Sequence, residues 1–437
     1  MANLQKVSIA LPIVWIDLIW YIFSMNKDFL NELNGILSIP SISTFSENKV
    51  DIKKCVDWII AYMKKIGLNN VKAYETPGNP IVPTVIDNNL YARGAADDKG
   101  QFMIHLFAFS ELFKSLGKFP INIKFLIEGE EETGSENLEN FIKENKELLN
   151  ADYALISDSH MISENQPAID YGLRGLVYFQ IDIRTAKQDA HSGIYGGVIR
   201  NPLIDISQMI SKLKDESGKI LIPGIYEKVR EIDETERNML SGQMNEEDVK
   251  KEVGVPSTFG EGDFSLAERA GARPSLDVHG IWGGFAKEGS KTVIPSTAGF
   301  KVSIRIVPNQ TVAEIKEKFE DYIKFICPDG VDMKITYLTG GEPYLLDYRN
   351  EVMSLASRTL EKHFGTAPKF LLSGGSIPVT EVLKTNLNID TILMGFGLPD
   401  DNLHAPNEKI NLSQIERGIE TVKDLFIDLG SKLQAWE

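Results

Sequence analysis

Asn88-Asn89-Leu90-Tyr91-Ala92-Arg93-Gly94-Ala95-Ala96-Asp97-Asp98-Lys99-Gly100 is the stretch from which the fold can be read. A short apolar strand runs out through Leu90 and Tyr91 and meets a Gly-Ala-Ala turn that carries no bulk. Two carboxylates follow, just ahead of a helix that starts near Gln101. In open α/β sheets, ligands bind at the carboxyl ends of the strands, which is where this turn delivers Asp97. Aspartate is also a common helix cap, so the pair alone would say little. Its weight comes from later strands that end the same way.

Working outward, the chain alternates strand, loop and helix. Phe29, Leu30, Leu33, Ile36 and Leu37 recur at helical spacing and stop at Pro40, and a second helix spans Ile52 to Ile66. Val71–Tyr74 predicts a strand. Phe102–Leu116 predicts an amphipathic helix, and Ile121–Ile127 a buried strand that exits into Glu128-Gly129-Glu130-Glu131-Glu132-Thr133-Gly134-Ser135. Tyr153–Ser157 predicts a strand that ends at Asp158. Thr391–Phe396 predicts another, whose following loop carries His404. This alternation implies an α/β fold with a mostly parallel sheet covered on both faces.

Between the two halves the texture changes. Gly172–Arg184 and Phe300–Val307 predict strands. Pro202–Leu213, Ile225–Lys251 and Val312–Ile326 predict helices. An α+β domain is therefore expected as an insertion over 173–340, dividing a catalytic domain into 25–172 and 341–437. Residues 1–24 form an apolar leader. Val7 to Phe23 is short for a membrane span and holds Asp17 at its centre, so it reads as an anchor or as an extension upstream of a start at Met25.

The net charge of −16 excludes nucleic acid as a partner, since no surplus of Lys or Arg is available for phosphates. Cys55 and Cys327 are the only cysteines, and neither has a metal-ligand neighbour in sequence; both are expected to fill apolar sites in a reducing, cytoplasmic setting. A membrane location would require residues 7–23 to act as an anchor.

Asp97, Glu131 or Glu132, Asp158 and His404 all fall at expected strand exits, which outlines a metal site. Carboxylate and imidazole suit Zn²⁺ or Mn²⁺, and a carboxylate that holds no metal can serve as general base. A run such as Glu130–Glu132 is more often a solvated loop, but here it follows a buried strand and precedes Gly-Ser.

The chain resembles the metallopeptidase superfamily of carnosinase, cytosolic nonspecific dipeptidase, glutamate carboxypeptidase and the ArgE/DapE-type deacylases, most of all its dipeptidase-like branch. The resemblance rests on Leu-Tyr-Ala-Arg-Gly-Ala-Ala-Asp-Asp-Lys-Gly (90–100), Glu-Gly-Glu-Glu-Glu-Thr-Gly-Ser (128–135) and Ser-Asp-Ser (157–159). Asp-Ala-His-Ser-Gly-Ile-Tyr-Gly-Gly (189–197), Lys-Thr-Val-Ile-Pro (291–295) and Ser-Ile-Arg-Ile-Val-Pro (303–308) add to it. Gly-Gly-Ser-Ile-Pro (374–378) and Leu-His-Ala-Pro-Asn-Glu (403–408) complete it, so the match covers nearly everything after Met25.

The resemblance implies a zinc-exopeptidase-like catalytic domain with an inserted lid and dimerisation domain. It implies Asp97 as the bridge between two Zn²⁺ or Mn²⁺ ions, Glu132 and His404 on one ion, Asp158 on the other, and Glu131 as general base. His191 would reach the partner subunit's site in a homodimer and stabilise the oxyanion. Arg305 would clamp the substrate carboxylate, and Thr292, Gly375 and Ser376 would line the cleft. Outside this setting His191 would read as an ordinary surface or core histidine, and Arg305 as a solvated strand residue.

One segment departs from the pattern. The family carries a His-x-Asp pair upstream of the Asp-Asp turn, but here Gly78-Asn79-Pro80-Ile81-Val82 runs almost directly into Pro83-Thr84-Val85, and no histidine precedes His105. One ion, or a weak second site, is then expected, together with a loosened Glu131. The expected function is a metal-dependent hydrolase of dipeptides or related short peptides at a C-terminal residue with a free carboxylate, impaired by the missing pair. The alternatives are an N-acyl-amino-acid deacylase, a catalytically inactive homologue that binds peptides or dimerises, and a truncated gene reading. His160, two residues past Asp158, is the one nearby imidazole that could substitute, or it caps a loop.

Overall fold

The first helical pattern closes as helix α1 (Lys27–Leu37), whose Phe29, Leu33, Ile36 and Leu37 are buried on one face. Helix α2 (Lys49–Lys65) follows. The computed structural model describes residues 27–39, 49–67, 84–119, 121–129, 131, 135, 137–375, 377–405 and 407–436. The leader, the Val71–Tyr74 strand, the junction at 80–83, Glu132 and Ser376 lie outside the described residues. Among those described, no helix is long and apolar enough to cross a membrane.

Strands β1 (Thr84–Ile86) and β2 (Asn89–Tyr91) form an antiparallel hairpin. Its two turn residues, Asp87 and Asn88, have φ of 48° and 61°, the left-handed pair that two-residue hairpins use and that Asn and Asp tolerate. Helix α3 (Lys99–Leu116) leaves the Asp97 turn, buries Met103, Ile104, Leu106 and Phe107, and ends at Gly117 with φ 66°.

A second sheet contains β3 (Tyr153–Ile156), β4 (Ala168–Leu173), β11 (Tyr344–Leu345), β12 (Lys369–Ser373) and β13 (Asp390–Leu393). Its order is β11-β4-β13-β3, with β12 also paired to β4. The β12/β4 and β13/β3 pairs are parallel, while β11 and the single β13 contact meet β4 antiparallel. Strand β14 (Lys409–Asn411) returns to pair with β2. Helices α6 (Glu351–Phe364) and α7 (Leu412–Trp436) bury Leu355, Leu360, Ile415 and Val422 in the same core as α1 and α3.

The insertion is a four-stranded antiparallel sheet, order β10-β5-β9-β7, from β5 (Gly175–Arg184), β7 (Ser275–Gly283), β9 (Thr297–Ile306) and β10 (Asp332–Gly341). Helices α4 (Pro202–Ser211) and α5 (Val312–Ile326) cover one face, and Phe179, Phe300, Ile206 and Phe319 form a second apolar core. A two-stranded ribbon, β6 (Ala190–His191) with β8 (Val293–Ile294), stands beside it.

Four expectations need correction. Residues Ile121–Ile127 form no strand: they alternate between half-buried and exposed, and Leu126 and Ile127 are 39% and 38% exposed. Their period-2 pattern is met by packing Ile121, Ile123 and Phe125 on the catalytic core. A strand also needs a hydrogen-bonded neighbour, and among the described residues β3 is the edge of its sheet. The single strand over Gly172–Arg184 breaks at Arg174, where the chain passes from one sheet to the other. The Ile225–Lys251 helix is two short ones, Glu234–Leu240 and Glu246–Val253, each started by an Asp233 or Asn245 side-chain cap, with Gly242 (φ 75°) between them. Cys55 is buried as expected, but Cys327 is only half-buried at the end of α5.

Candidate active site

The Asp97 turn is shaped from below. Glu408, buried just before β14, accepts backbone N–H groups from Gly94 (2.9 Å), Ala96 (3.1 Å) and Asp97 (3.0 Å). Gln101 donates to the Ala96 carbonyl at 2.9 Å and accepts the Phe396 N–H at 2.7 Å, which ties the turn to the chain leaving β13. Gly100 has no room for a side chain, since a Cβ there would stand 1.9 Å from the Ala95 carbonyl oxygen. The Asp97–Asp98 peptide is cis. Asp98 occupies the N-cap position of α3, yet its side chain makes no capping hydrogen bond.

The side chain of Asp97 turns to His404, whose Nε2 lies 2.8 Å from Asp97 Oδ2. His404 sits in a left-handed turn (φ 56°). The loop is anchored by buried Asp401, which accepts from the Leu398 N–H at 2.6 Å and pairs with Lys409 Nζ at 3.1 Å. Asp158 follows β3, and Glu131 lies in the loop after the 121–129 stretch. Both act on Asp98: its carboxyl is pushed well above the usual range, first by burial and then by the charges of Asp158, Asp97 and Glu131. Four carboxylates and an imidazole therefore lie within electrostatic reach of the Asp97 turn, and among the described residues Asp98 Oδ1 is buried without a hydrogen-bond partner.

This donor set fits a divalent cation. Hard oxygen and imidazole ligands are what such ions take, and converging carboxylates whose charges oppose one another leave an unmet demand for positive charge. Among the described residues no three His, Cys, Asp or Glu side chains stand close enough to hold an ion by themselves, and Glu132 falls outside that set. His160 forms a backbone bridge to Gly397, and its imidazole is held below its ordinary value by desolvation, offset in part by the charges of Asp401 and Asp97.

Beneath the site His105 meets Ser157 Oγ at 2.8 Å, while Ser157 donates its own proton to the Met394 carbonyl at 2.6 Å. His105 Nε2 must then be the donor to Ser157. Burial pushes the His105 imidazole down to about 4, so it stays neutral.

The other sequence-predicted residues lie on the insertion and at the seam. His191 ends β6, is exposed, and accepts the Gly193 N–H on Nδ1 at 2.9 Å. Thr292 sits beside it, its carbonyl accepting the Ser192 N–H at 3.1 Å. Arg305 lies on β9, half-buried, its guanidinium pKa lowered by burial against the opposing effect of Asp277. Gly375 is exposed in the loop after β12. Asp98, Gln101 and Glu408 had no role assigned from sequence. The one available signal was that Asp98 and Glu408 stand inside the quoted motifs.

Comparison with known proteins places the chain in a family. Residues 70–428 match the profile of peptidase family M20/M25/M40. Human Beta-Ala-His dipeptidase is 33% identical over 358 residues, covering 80% of this chain and 70% of that protein. The Cys-Gly metallodipeptidase dug1 of Schizosaccharomyces pombe is 29% identical over 459 residues, covering 93% of this chain and 96% of its own. That matched length exceeds what 93% of a 437-residue chain supplies, so the yeast protein carries residues with no counterpart here. Among solved structures, human carnosine dipeptidase 1 superposes with a TM-score of 0.77 at 27% identity, covering 96% of this chain and 99% of the other. The family M20 metallo-carboxypeptidase Sso-CP2 of Sulfolobus solfataricus gives 0.81 at 28% identity, covering 92% and 99%. With four-fifths of its length inside the family profile and a carboxylate–imidazole site at the expected turn, the chain belongs to peptidase family M20/M25/M40 and is a metal-dependent hydrolase.

Proposed function

We propose that this protein is a metallo-dipeptidase that cleaves short peptides at a C-terminal residue bearing a free carboxylate. The observation that carries the reading is the meeting of Asp97 and His404 at 2.8 Å in a turn surrounded by Asp98, Asp158 and Glu131. Asp97, Glu132, Asp158 and His404 would hold Zn²⁺ or Mn²⁺, which when bound polarises the scissile carbonyl and lowers the pKa of water. Glu131 removes the proton from the attacking water and passes it to the leaving amine. Arg305 receives the substrate carboxylate in a two-pronged contact, and Thr292 and the Gly375–Ser376 loop line the cleft.

His191 supplies an N–H to the carbonyl oxygen as negative charge develops there. Its exposed position on the β6–β8 ribbon supports action on a second subunit's site. The insertion also exposes Ile194 (67%), Val198 (74%), Ile204 (55%) and Ile281 (58%), apolar surface that a homodimer would cover. The absence of any histidine before His105 supports a single ion, or a weakly held second one, and reduced turnover. The two cysteines, free and distant in sequence, suit the cytoplasm.

The test is hydrolysis of a simple dipeptide such as Ala-Leu by the full chain supplied with Mn²⁺ or Zn²⁺. Turnover is expected, and Glu131→Gln should reduce it by roughly a hundredfold or more, with the unfolding midpoint unchanged. No turnover with either ion, or full activity in the Glu131→Gln variant, would overturn the reading.

A further inference from the structure

Arg174 stands at the crossing between the two sheets, after Leu173 of β4 and before Gly175 of β5. Its guanidinium reaches both sides of the seam. On the catalytic side Nε donates to the Gly374 carbonyl at 3.4 Å, in the loop that leaves β12. On the inserted side Nη1 donates to Ser275 Oγ at 3.1 Å and to the Arg273 carbonyl at 3.5 Å. Ser275 is the cross-strand partner of Arg305 in the β7/β9 ladder, so their side chains emerge on the same face. The packing is close: a Cβ on Gly374 would stand 2.8 Å from Arg174 Nη2 and 3.0 Å from the Ala270 carbonyl, so a side chain here would displace the Arg174 guanidinium. A Cβ on Gly271 would likewise lie 2.1 Å from the Leu372 carbonyl, placing the 268–272 turn directly against β12.

We infer that Arg174 is a positioning residue for recognition of the substrate's terminal carboxylate, holding the Gly374–Gly375 turn and the Arg305 strand in one arrangement across the domain seam. The inference rests on the proposed carboxylate clamp at Arg305. A planar fork with donors at several angles can bridge three acceptors from two domains, whereas a lysine ammonium on a flexible stem cannot hold them in fixed relation. Neither oxygen acceptor from the insertion nor the Gly374 carbonyl is a carboxylate, so among the described residues no carboxylate neutralises Arg174 by direct contact. Burial and then the nearby Arg305 charge push its guanidinium down to about 10, against a smaller opposing effect of Asp277. An anion arriving between the Gly374 loop and Arg305 therefore meets a positive field as well as a fixed geometry.

The test measures binding in the Glu131→Gln background, so that peptide is retained, using the full chain with Mn²⁺. The probes are Ala-Leu and its C-terminal amide, followed by calorimetry. The parent should prefer the free carboxylate, and Arg305→Gln should abolish that preference. Arg174→Gln should weaken Ala-Leu about tenfold, the size of one charge-assisted hydrogen bond, and leave the amide unchanged. Arg174→Lys, which retains charge, should recover only part of the loss. Equal weakening of both probes would mark Arg174 as purely structural, and no weakening would leave it idle; either result overturns the inference while Arg305→Gln still upholds the clamp. A parent that does not distinguish the probes, with Arg305→Gln silent, would overturn the clamp itself and the inference with it.

Discussion

Glu408 Oε1 accepts the backbone N–H of Asp97 at 3.0 Å, joining two residues that are 311 positions apart in sequence. The carboxylate takes two further N–H groups from the same turn, from Gly94 and Ala96. Glu408→Gln replaces one acceptor oxygen with an NH₂ that faces a donor. The expected cost is about 2 kcal/mol of unfolding free energy, since one or more buried N–H groups lose their acceptor. Urea unfolding measures this. Because the turn carries Asp97, Mn²⁺ affinity should fall as well, and calorimetric titration of the metal checks that second effect.

The buried His105 predicts a pH dependence of stability. Its folded-state value near 4 lies below the ordinary imidazole value of about 6.5, so between these pH values the unfolded chain binds more protons than the native one. Stability from this group is fully present above pH ~6.5 and is lost as pH falls toward ~4, a change on the order of 3 kcal/mol. His105→Gln can still donate to Ser157 and should flatten the slope in this window. Unfolding midpoints across the pH series are the measurement.

Complementation tests the role of His191 across subunits. Glu131→Gln and His191→Ala homodimers should both be inactive. Mixed dimers refolded from the two should regain activity, because one site of the two then pairs an intact Glu131 with the other subunit's His191. Recovery after mixing, followed with a dipeptide substrate, is the expected result, and persistent inactivity would place His191 in its own subunit's site.

The stretch at 121–127, which pairs with no strand among the described residues, makes a prediction for hydrogen exchange. Its amides should exchange on the order of a hundredfold faster than those of β4, although both segments are rich in apolar residues. Exchange measured by mass spectrometry on peptides covering 121–129 and 168–173 decides this. Protection equal to that of β4 would mean that the sheet closes around the gap.

Helices α1 to α5 and strands β2, β3, β9 and β13 were legible because their periodicities are local. α1, α3 and α5 each show a continuous apolar face. The Ile121–Ile127 stretch shows where local pattern fails, since alternation reports a half-buried face but cannot report whether a neighbouring strand exists. The site was legible as types of side chain, though Glu131 follows no strand: Asp97 and His404 do meet, and the Asp158 and Glu131 charges both act on Asp98. What lay beyond the sequence was the support beneath them. Glu408, Gln101 and the Asp401–Lys409 pair act through contacts over 5 to 314 positions, and nothing in a single sequence pairs a buried acid with the turn it holds.

The insertion is entered and left by strands that lie side by side: Leu176 of β5 pairs with Gly341 of β10. Just outside that pair, the Leu346 N–H donates to the Tyr171 carbonyl at 2.7 Å. Once the inserted sheet has formed, residues 171 and 346 are already neighbours, and the long stretch between them no longer counts as an open loop whose closure must be met entropically. The parallel pairing of β12 with β4, nominally a contact between distant parts of the chain, becomes nearly local. Early folding of the insertion should thus accelerate assembly of the catalytic half, and a chain with a destabilised insertion should refold slowly even though every residue of the catalytic core is intact.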